Sequence, residues 1–219
     1  MLKEFPKTHL RRRMLGGPLA RKPLRLKLAM QRQDTSLLDR EIAAASGEIV
    51  QEREDWVDAF VDYSHVISLD KGKTRAIRAV AMHDGTLFWL VRKTGKARGF
   101  HSDRPDPLAA IEQAEAAWRA RKLVRRNWEA VQELARDLLL GRRRFRVRLE
   151  DAHASPLCSM GIAAFMRRMC ISQITETPGW FAAVLMRIDP QVGFVIHQAY
   201  LRETRSTELS GMVGLSTTP

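Results

Sequence analysis

The chain has 219 residues, of which 45% are hydrophobic and 28% charged, close to globular averages and far from a disordered composition. Its 37 Lys and Arg against 25 Asp and Glu give a net charge of +12, which attracts nucleic acids and other polyanions over long range. No uncharged stretch reaches the roughly 18 residues of a membrane span, and no apolar block of a secretory signal occurs near the start. Two cysteines without a CxxC pair indicate a reducing compartment. We therefore expect a cytoplasmic protein without membrane contact.

The amino-terminal part of the chain contains two blocks of opposite charge. Residues 1–32 carry ten Lys and Arg against one Glu, with glycines and prolines that interrupt any long helix, which predicts a flexible basic arm. Residues 33–60 carry eight acids against two Arg, and their apolar residues recur at helical spacing. We assign an acidic helical segment to residues 33–62. In the arm, the candidate phosphate-binding residues are Arg11, Arg12 and Arg13.

The next part of the chain has the pattern of an antiparallel meander. Runs rich in β-branched and apolar residues alternate with glycine turns, and Asp84-Gly85 is a strong hairpin signal. The predicted strands are His65–Leu69, Ala76–Met82, Leu87–Arg92 and a short one at 98–101.

Two helical patterns follow the meander. Pro107 suits the first turn of a helix, and an apolar stripe of period 3.6 runs to about Lys122. The stripe resumes at Trp128 and continues until Gly141 ends it. The intervening residues 125–127 are either a short joint or part of one bent helix.

The carboxy-terminal part combines strands and a helix. Residues 142–149 alternate between apolar and Arg side chains, as an amphipathic strand does. A helix is expected from Ser155 to Met169, with Ser155 as its cap, and a hairpin from residues 180–188 and 192–200. The predicted fold class is α+β, an antiparallel meander and C-terminal hairpin packed with several helices. The main domain is assigned to 63–204 and a disordered tail to 205–219.

The strongest candidate site is an Arg-rich stretch. Residues 119–148 hold eleven Lys and Arg against three acids. Alternate residues of a strand stand about 7 Å apart on one face, close to the spacing of phosphates along a nucleic-acid strand, and a guanidinium binds phosphate bidentately. The alternative is a solvated face, or one paired with the chain's own acids. The candidate residues are Arg142, Arg143, Arg144, Arg146, Arg148, Arg121, Lys122, Arg125 and Arg126.

Other constellations point less clearly to chemistry. Cys158 with His153 allows a nucleophile interpretation, but a buried apolar Cys explains it equally. A metal site would require four side chains at the two ends of one hairpin to converge, although turn and helix-entry roles also explain them. No phosphate-loop or dinucleotide pattern occurs, so we predict no cofactor and no resident metal. The four side chains are His83, Asp84, His101 and Asp103, and the aromatic residues Phe88, Trp89 and Phe100 are expected in the core.

One segment resembles a pattern in known sequences. Residues 146–165, with the sequence RVRLEDAHASPLCSMGIAAF, are similar to a stretch of uncharacterised proteins of bacterial and phage-like genomes. In that pattern a strand ending in an acidic pair leads to Cys, then Gly-Ile and an aromatic residue. The resemblance covers about a tenth of the chain and implies a mobile-element origin, which favours nucleic-acid handling or inhibition of a host complex. Read from the residues alone, Cys158 packs inward and Gly161 allows its close approach.

These observations predict a non-enzymatic protein that binds the phosphate backbone of DNA or RNA through the Arg face and the basic arm. The first alternative is an interaction or regulatory module that docks an acidic protein partner. The second alternative is a metal-dependent hydrolase acting on nucleic acid.

Overall fold

A computed structural model describes residues 10–11, 49–54 and 56–213. The chain divides into two compact units, residues 1–116 and 117–219. The strands are β1 (Leu10–Arg11), β2 (Ile49–Glu54), β3 (Val57–Leu69), β4 (Thr74–Ala81), β5 (Leu87–Lys93), β6 (Phe100–Ser102), β7 (Arg146–Arg148) and β8 (Glu176–Pro178). The helices are α1 (Pro107–Arg126), α2 (Trp128–Leu139), α3 (Leu149–Ala154), α4 (Ser159–Arg168), α5 (Gly179–Ile188) and α6 (Val192–Val213). The predicted α+β class is confirmed, and of the predicted basic arm only residues 10–11 lie within the described residues.

The first unit is built on the predicted meander. Its six strands lie in chain order, and each is antiparallel to the next. The turn between β4 and β5 follows the hairpin signal of the sequence. Gly85 has φ +75°, a conformation that favours glycine, and the Asp84 carboxylate accepts the Thr86 N–H at 3.0 Å.

The prediction of helix within the acidic segment is wrong for residues 49–54 and 57–62, which form β2 and the start of β3. Val57, Ala59 and Val61 are buried at alternate positions, as in a strand, although Phe60 between them is buried too. Ala59 also pairs with Ala81 of β4. The apolar residues fit both periods locally, and pairing with the neighbouring strands selects the extended one. Residues 33–48 lie outside the described residues.

The two central helices agree with the sequence pattern. The Asp106 carboxylate accepts the Ala109 N–H at 2.7 Å and so caps α1. Asn127 has φ −115° and ψ 38°, so it separates two helices, and Arg125 and Arg126 are the last residues of α1. Gly141, with φ +70°, follows α2 as predicted.

The predicted C-terminal hairpin is wrong, because both of its segments are helices, α5 and α6. On α5 the buried residues Ala182, Ala183 and Leu185 lie on one helical face, whereas a strand would bury alternate residues. The Asp189 carboxylate accepts the Gln191 N–H at 2.8 Å in the turn between the helices. Because α6 runs to Val213, the first part of the predicted disordered tail is helical, and residues 214–219 lie outside the described residues. No described helix is both long and apolar enough to cross a membrane.

The second unit has an apolar core from α2, β7, α3, α4, α5 and α6. An ion pair beside this core connects three of these elements. Arg202 of α6 donates from Nε to Asp151 Oδ1 at 2.8 Å and from Nη2 to Asp151 Oδ2 at 3.1 Å. The same Nη2 donates to the Arg146 carbonyl at 2.7 Å, and Asp151 Oδ2 also accepts the Arg148 N–H at 2.8 Å. The Asp151 side chain is only 3% exposed, so its charge depends on these donors.

We expect Arg202→Met to destabilise the second unit by about 2–4 kcal/mol, because it leaves the buried Asp151 carboxylate without its cation. Arg205→Met is the matched control: Arg205 is an exposed residue of the same helix, and its loss should change the free energy of unfolding by less than about 0.5 kcal/mol. Urea denaturation measures both. If both substitutions lower the free energy of unfolding equally, the ion pair between Arg202 and Asp151 adds no stability beyond the effect of removing one positive charge.

His197 of α6 gives the fold a pH dependence. Burial lowers the pKa of its imidazole below the ordinary value of 6.5. The unfolded chain therefore takes up this proton at a higher pH than the folded chain, and stability falls as pH drops below about 6.5.

We expect His197→Gln to reduce the loss of unfolding free energy between about pH 7.5 and pH 5.5, a range that spans the ordinary His pKa. His153→Gln, at an exposed position, should leave the wild-type pH dependence in place. Denaturant titrations at the two pH values measure the difference, and parallel curves for wild type and His197→Gln would contradict the assignment.

Candidate nucleic-acid interface

The Arg-rich stretch between α2 and α3 alternates as the sequence predicts, although only Arg146–Arg148 form a strand. Arg144, Arg146 and Arg148 are exposed, whereas Val147 is buried and Phe145 half-buried. The apolar residues pack on the core of the second unit. Core packing therefore orients this short segment and leaves its guanidinium groups on the outside.

The acidic partners of these arginines are few. Arg142 and Arg143 approach the Asp137 carboxylate, at 3.7 and 3.9 Å. Arg146 Nε donates to Glu176 at 2.7 Å, and Arg148 lies 3.8 Å from the same carboxylate.

Two carboxylates are therefore shared by four guanidinium groups. Arg144 forms no ion pair or hydrogen bond with any part of the chain that the structure describes. Exposed ion pairs contribute only about 0–1 kcal/mol each, so these arginines keep an excess of positive charge that external anions can neutralise.

The backbone of this surface is fixed from two sides. β7 pairs antiparallel with β8, with Arg146 opposite Pro178 and Arg148 opposite Glu176. The Arg202 guanidinium binds the Arg146 carbonyl and Asp151, and the hydrogen bond to Asp151 is the main cause of its raised pKa. The Arg-bearing strand is thus held before any ligand arrives, which reduces the entropy cost of binding.

The candidate residues on α1 have different surroundings. Arg121 donates to the Pro156 carbonyl at 2.8 Å, and the Arg125 guanidinium lies 5.8 Å from the centre of the Phe194 ring. Lys122 and Arg126 are exposed. No described contact joins this group to residues 142–148. In the basic arm, only the backbone of Arg11 is described, in β1, and Arg12 and Arg13 lie outside the described residues.

A groove lies beside the Arg-rich stretch. It has a volume of about 540 Å³, within the range of about 300–1,000 Å³ typical of ligand sites. Arg143, Arg144 and Arg146 line it together with Trp180, the second residue of α5. Trp180 is 53% exposed. Trp180 is not among the candidate residues expected from the sequence, because residues 180–188 are predicted to form a strand.

A signal for Trp180 does exist in the sequence. Read as a helix, α5 has Trp180, Val184 and Ile188 at i, i+4 and i+8, which places them on one face. All three are exposed, at 53%, 40% and 52%. Of the remaining apolar side chains, Ala182, Ala183 and Leu185 are buried, and Phe181 and Met186 are half-buried. A helix with two apolar faces, one of them exposed, indicates an interaction surface.

The residues of the proposed metal constellation lie in different surroundings. His101 is buried in β6 against the Phe88 ring, and His83 lies in an exposed turn beside Asp84. Among the described residues no group of three His, Cys, Asp or Glu side chains is arranged to hold a metal ion. The predicted core positions of Phe88 and Phe100 are confirmed.

Of the two predictions for the loop before α4, the structure confirms one and contradicts the other. A Cβ on Gly161 would lie 2.9 Å from the Cys158 sulfur, so the predicted close approach is confirmed. Ser155 does not cap α4, however. Its hydroxyl donates to the Ala152 carbonyl at 2.6 Å, where it ends α3, and α4 begins at Ser159.

Comparisons with known proteins add no assignment. No protein-family model matches the chain, and neither the curated proteins nor the solved structures contain a significant match. The resemblance of residues 146–165 therefore gives no role to any side chain, and the function must be argued from the geometry alone.

Gly179 shapes the groove, because α5 begins there against the Arg-rich stretch. A Cβ at this position would lie 2.7 Å from Leu138 Cδ2 and 2.9 Å from the Phe145 carbonyl oxygen. We expect Gly179→Ala to lower the free energy of unfolding by about 1–3 kcal/mol through overpacking. Ser159→Ala, at the first residue of α4 and exposed, is the control and should change it little. Thermal unfolding measures both variants. A Gly179→Ala protein as stable as wild type would contradict the prediction, because it would show that the neighbouring backbone moves to make room for the added Cβ.

Proposed function

We propose that this protein binds the phosphate backbone of DNA or RNA without catalysing a reaction on it, through the surface of residues 142–148 and with further affinity from the basic arm, residues 1–32. The observation that carries the proposal is the ratio of five exposed guanidinium groups to two carboxylates. Each of these carboxylates is shared by two arginines, and Arg144 has no partner among the described residues.

Energetics favour phosphate over the present partners. Arg142 and Arg143 stand 3.7 and 3.9 Å from Asp137, too far for a short hydrogen-bonded pair. A phosphate approaching these groups replaces weak, screened contacts with charge-assisted hydrogen bonds and releases its own counterions. The composition of the chain, with its net charge of +12, attracts the same ligand from a distance.

The proposal places this activity in the cytoplasm, because two cysteines without a CxxC pair fit a reducing compartment. A mobile-element origin, implied by the resemblance of residues 146–165, fits the same function. Nothing in the described geometry favours the metal-dependent hydrolase.

The test is a binding titration with DNA and RNA at about 50 and 200 mM salt, a range over which phosphate contacts lose much of their affinity. The test variant is Arg142→Ala/Arg144→Ala, since neither side chain forms a short hydrogen bond with the residues that the structure describes. We expect binding to weaken on the order of tenfold or more, and the log–log salt slope to become shallower by about two.

Arg104→Ala is the matched control, because Arg104 is an exposed arginine of the other unit. It should retain the wild-type salt slope. Wild-type protein that binds neither DNA nor RNA at the lower salt concentration would overturn the proposal. Binding that both arginine variants weaken equally would show a general charge effect instead of this surface.

A second candidate function is an interaction module that docks an acidic protein. It is favoured by the exposed apolar face of Trp180, Val184 and Ile188 beside the arginines, since Trp and Arg dominate protein interfaces. Folded protein without nucleic-acid affinity, but with a partner whose binding survives nuclease treatment, would select this function.

A further inference from the structure

Trp180 and Arg144 both lie just beyond the same end of the β7–β8 ladder. β7 and β8 are antiparallel, and Arg146 pairs with Pro178. Two residues outward, the chain reaches Arg144 on one side and Trp180 on the other, and both line the groove. The indole and the guanidinium groups therefore line one groove.

The indole is exposed and has one aromatic neighbour. Trp180 is 53% exposed, and the Phe181 ring stands nearly perpendicular to it, with centroids 5.8 Å apart and an interplanar angle of 82°. This is the edge-to-face arrangement that aromatic pairs favour. An aromatic face open to solvent can stack on a base, worth about 1–3 kcal/mol per base.

The guanidinium groups of the groove differ in their partners: Arg146 donates to Glu176 at 2.7 Å, whereas Arg143 is 3.9 Å from its nearest described carboxylate. Arg143 stacks over the Tyr200 ring at 5.2 Å, which limits the freedom it must lose on binding. Arg144 is exposed and has no partner among the described residues. The described residues that line the groove include no acidic side chain, so nothing inside it repels a phosphate.

These features distinguish single-stranded from double-stranded nucleic acid. In a duplex the base faces are stacked on one another, and an aromatic side chain reaches one only at the cost of unstacking. In a single strand the base faces are accessible, and proteins bind them with aromatic platforms flanked by basic side chains.

We propose that the groove binds single-stranded nucleic acid, with one base stacked on Trp180 and the adjoining phosphates on Arg143, Arg144 and Arg146. This inference rests on the proposed function and deepens it, because it names the strand state of the ligand. It also assigns a role to an exposed tryptophan that the phosphate contacts alone leave unexplained.

The experiment compares wild type with Trp180→Leu, Trp180→Phe and Ile188→Ala. Ile188 is the matched control, since it is 52% exposed on the same face of the same helix. Fluorescence anisotropy measures the affinity of each full-length protein for a labelled single strand and for the corresponding duplex, both of about 15 nucleotides, within the site sizes of single-strand binders.

We expect Trp180→Leu to weaken single-strand binding by about 5-fold to 150-fold and to leave duplex binding and the salt slope unchanged. Trp180→Phe, which keeps an aromatic face, should lose less than Trp180→Leu. Ile188→Ala should bind like wild type.

Three results would overturn the inference. The first is unchanged single-strand affinity of Trp180→Leu. The second is an equal loss of single-strand and duplex affinity in this variant. The third is a loss in Ile188→Ala as large as that in Trp180→Leu, which would indicate a general apolar surface. In each case the proposed function stands if Arg142→Ala/Arg144→Ala still weakens binding and flattens the salt slope. If wild type binds neither ligand, both proposals fail together.

Discussion

The buried Asp151 carboxylate and its donors link three elements of the second unit. The carboxylate accepts hydrogen bonds from the Arg202 guanidinium and from the Arg148 N–H, while Arg202 also binds the Arg146 carbonyl. One charge therefore fixes the end of β7, the first turn of α3 and the middle of α6. A buried carboxylate is costly to desolvate, and losing one of its donors is strongly destabilising. The charge of Asp151 therefore favours the one arrangement in which all of these donors reach it.

The exposed arginines depend on that constraint. The strand that carries Arg146 and Arg148 is only three residues long, and a ladder this short contributes little stability by itself. Its backbone is held by β8 on one side and by Arg202 on the other, while Val147 is buried in the core. The protein thus uses one arginine, paired with the buried Asp151, to hold the strand whose two exposed arginines share the Glu176 carboxylate.

The groove combines two kinds of surface that are costly to expose separately. An indole exposed to water contributes no hydrophobic stabilisation from burial of its ring. Crowded guanidinium groups repel one another. A ligand that is apolar on its faces and anionic along its backbone relieves both costs at once. Single-stranded nucleic acid has this composition, which is why the proposals for the arginines and for Trp180 converge on one class of ligand.

Sequence alone determined the elements that local physics specifies: the Asp84-Gly85 hairpin, the start of α1 at Pro107, the end of α2 near Gly141, and the inside-outside alternation around Val147. It failed where apolar residues fit two periods, as in Val57–Val61 and Trp180–Ile188, because contacts with distant segments choose between strand and helix. It identified the Arg-rich stretch from composition. Only the tertiary structure decided how many of those arginines are paired and that Trp180 lies beside them, because both depend on side chains brought together by packing across long sequence separations.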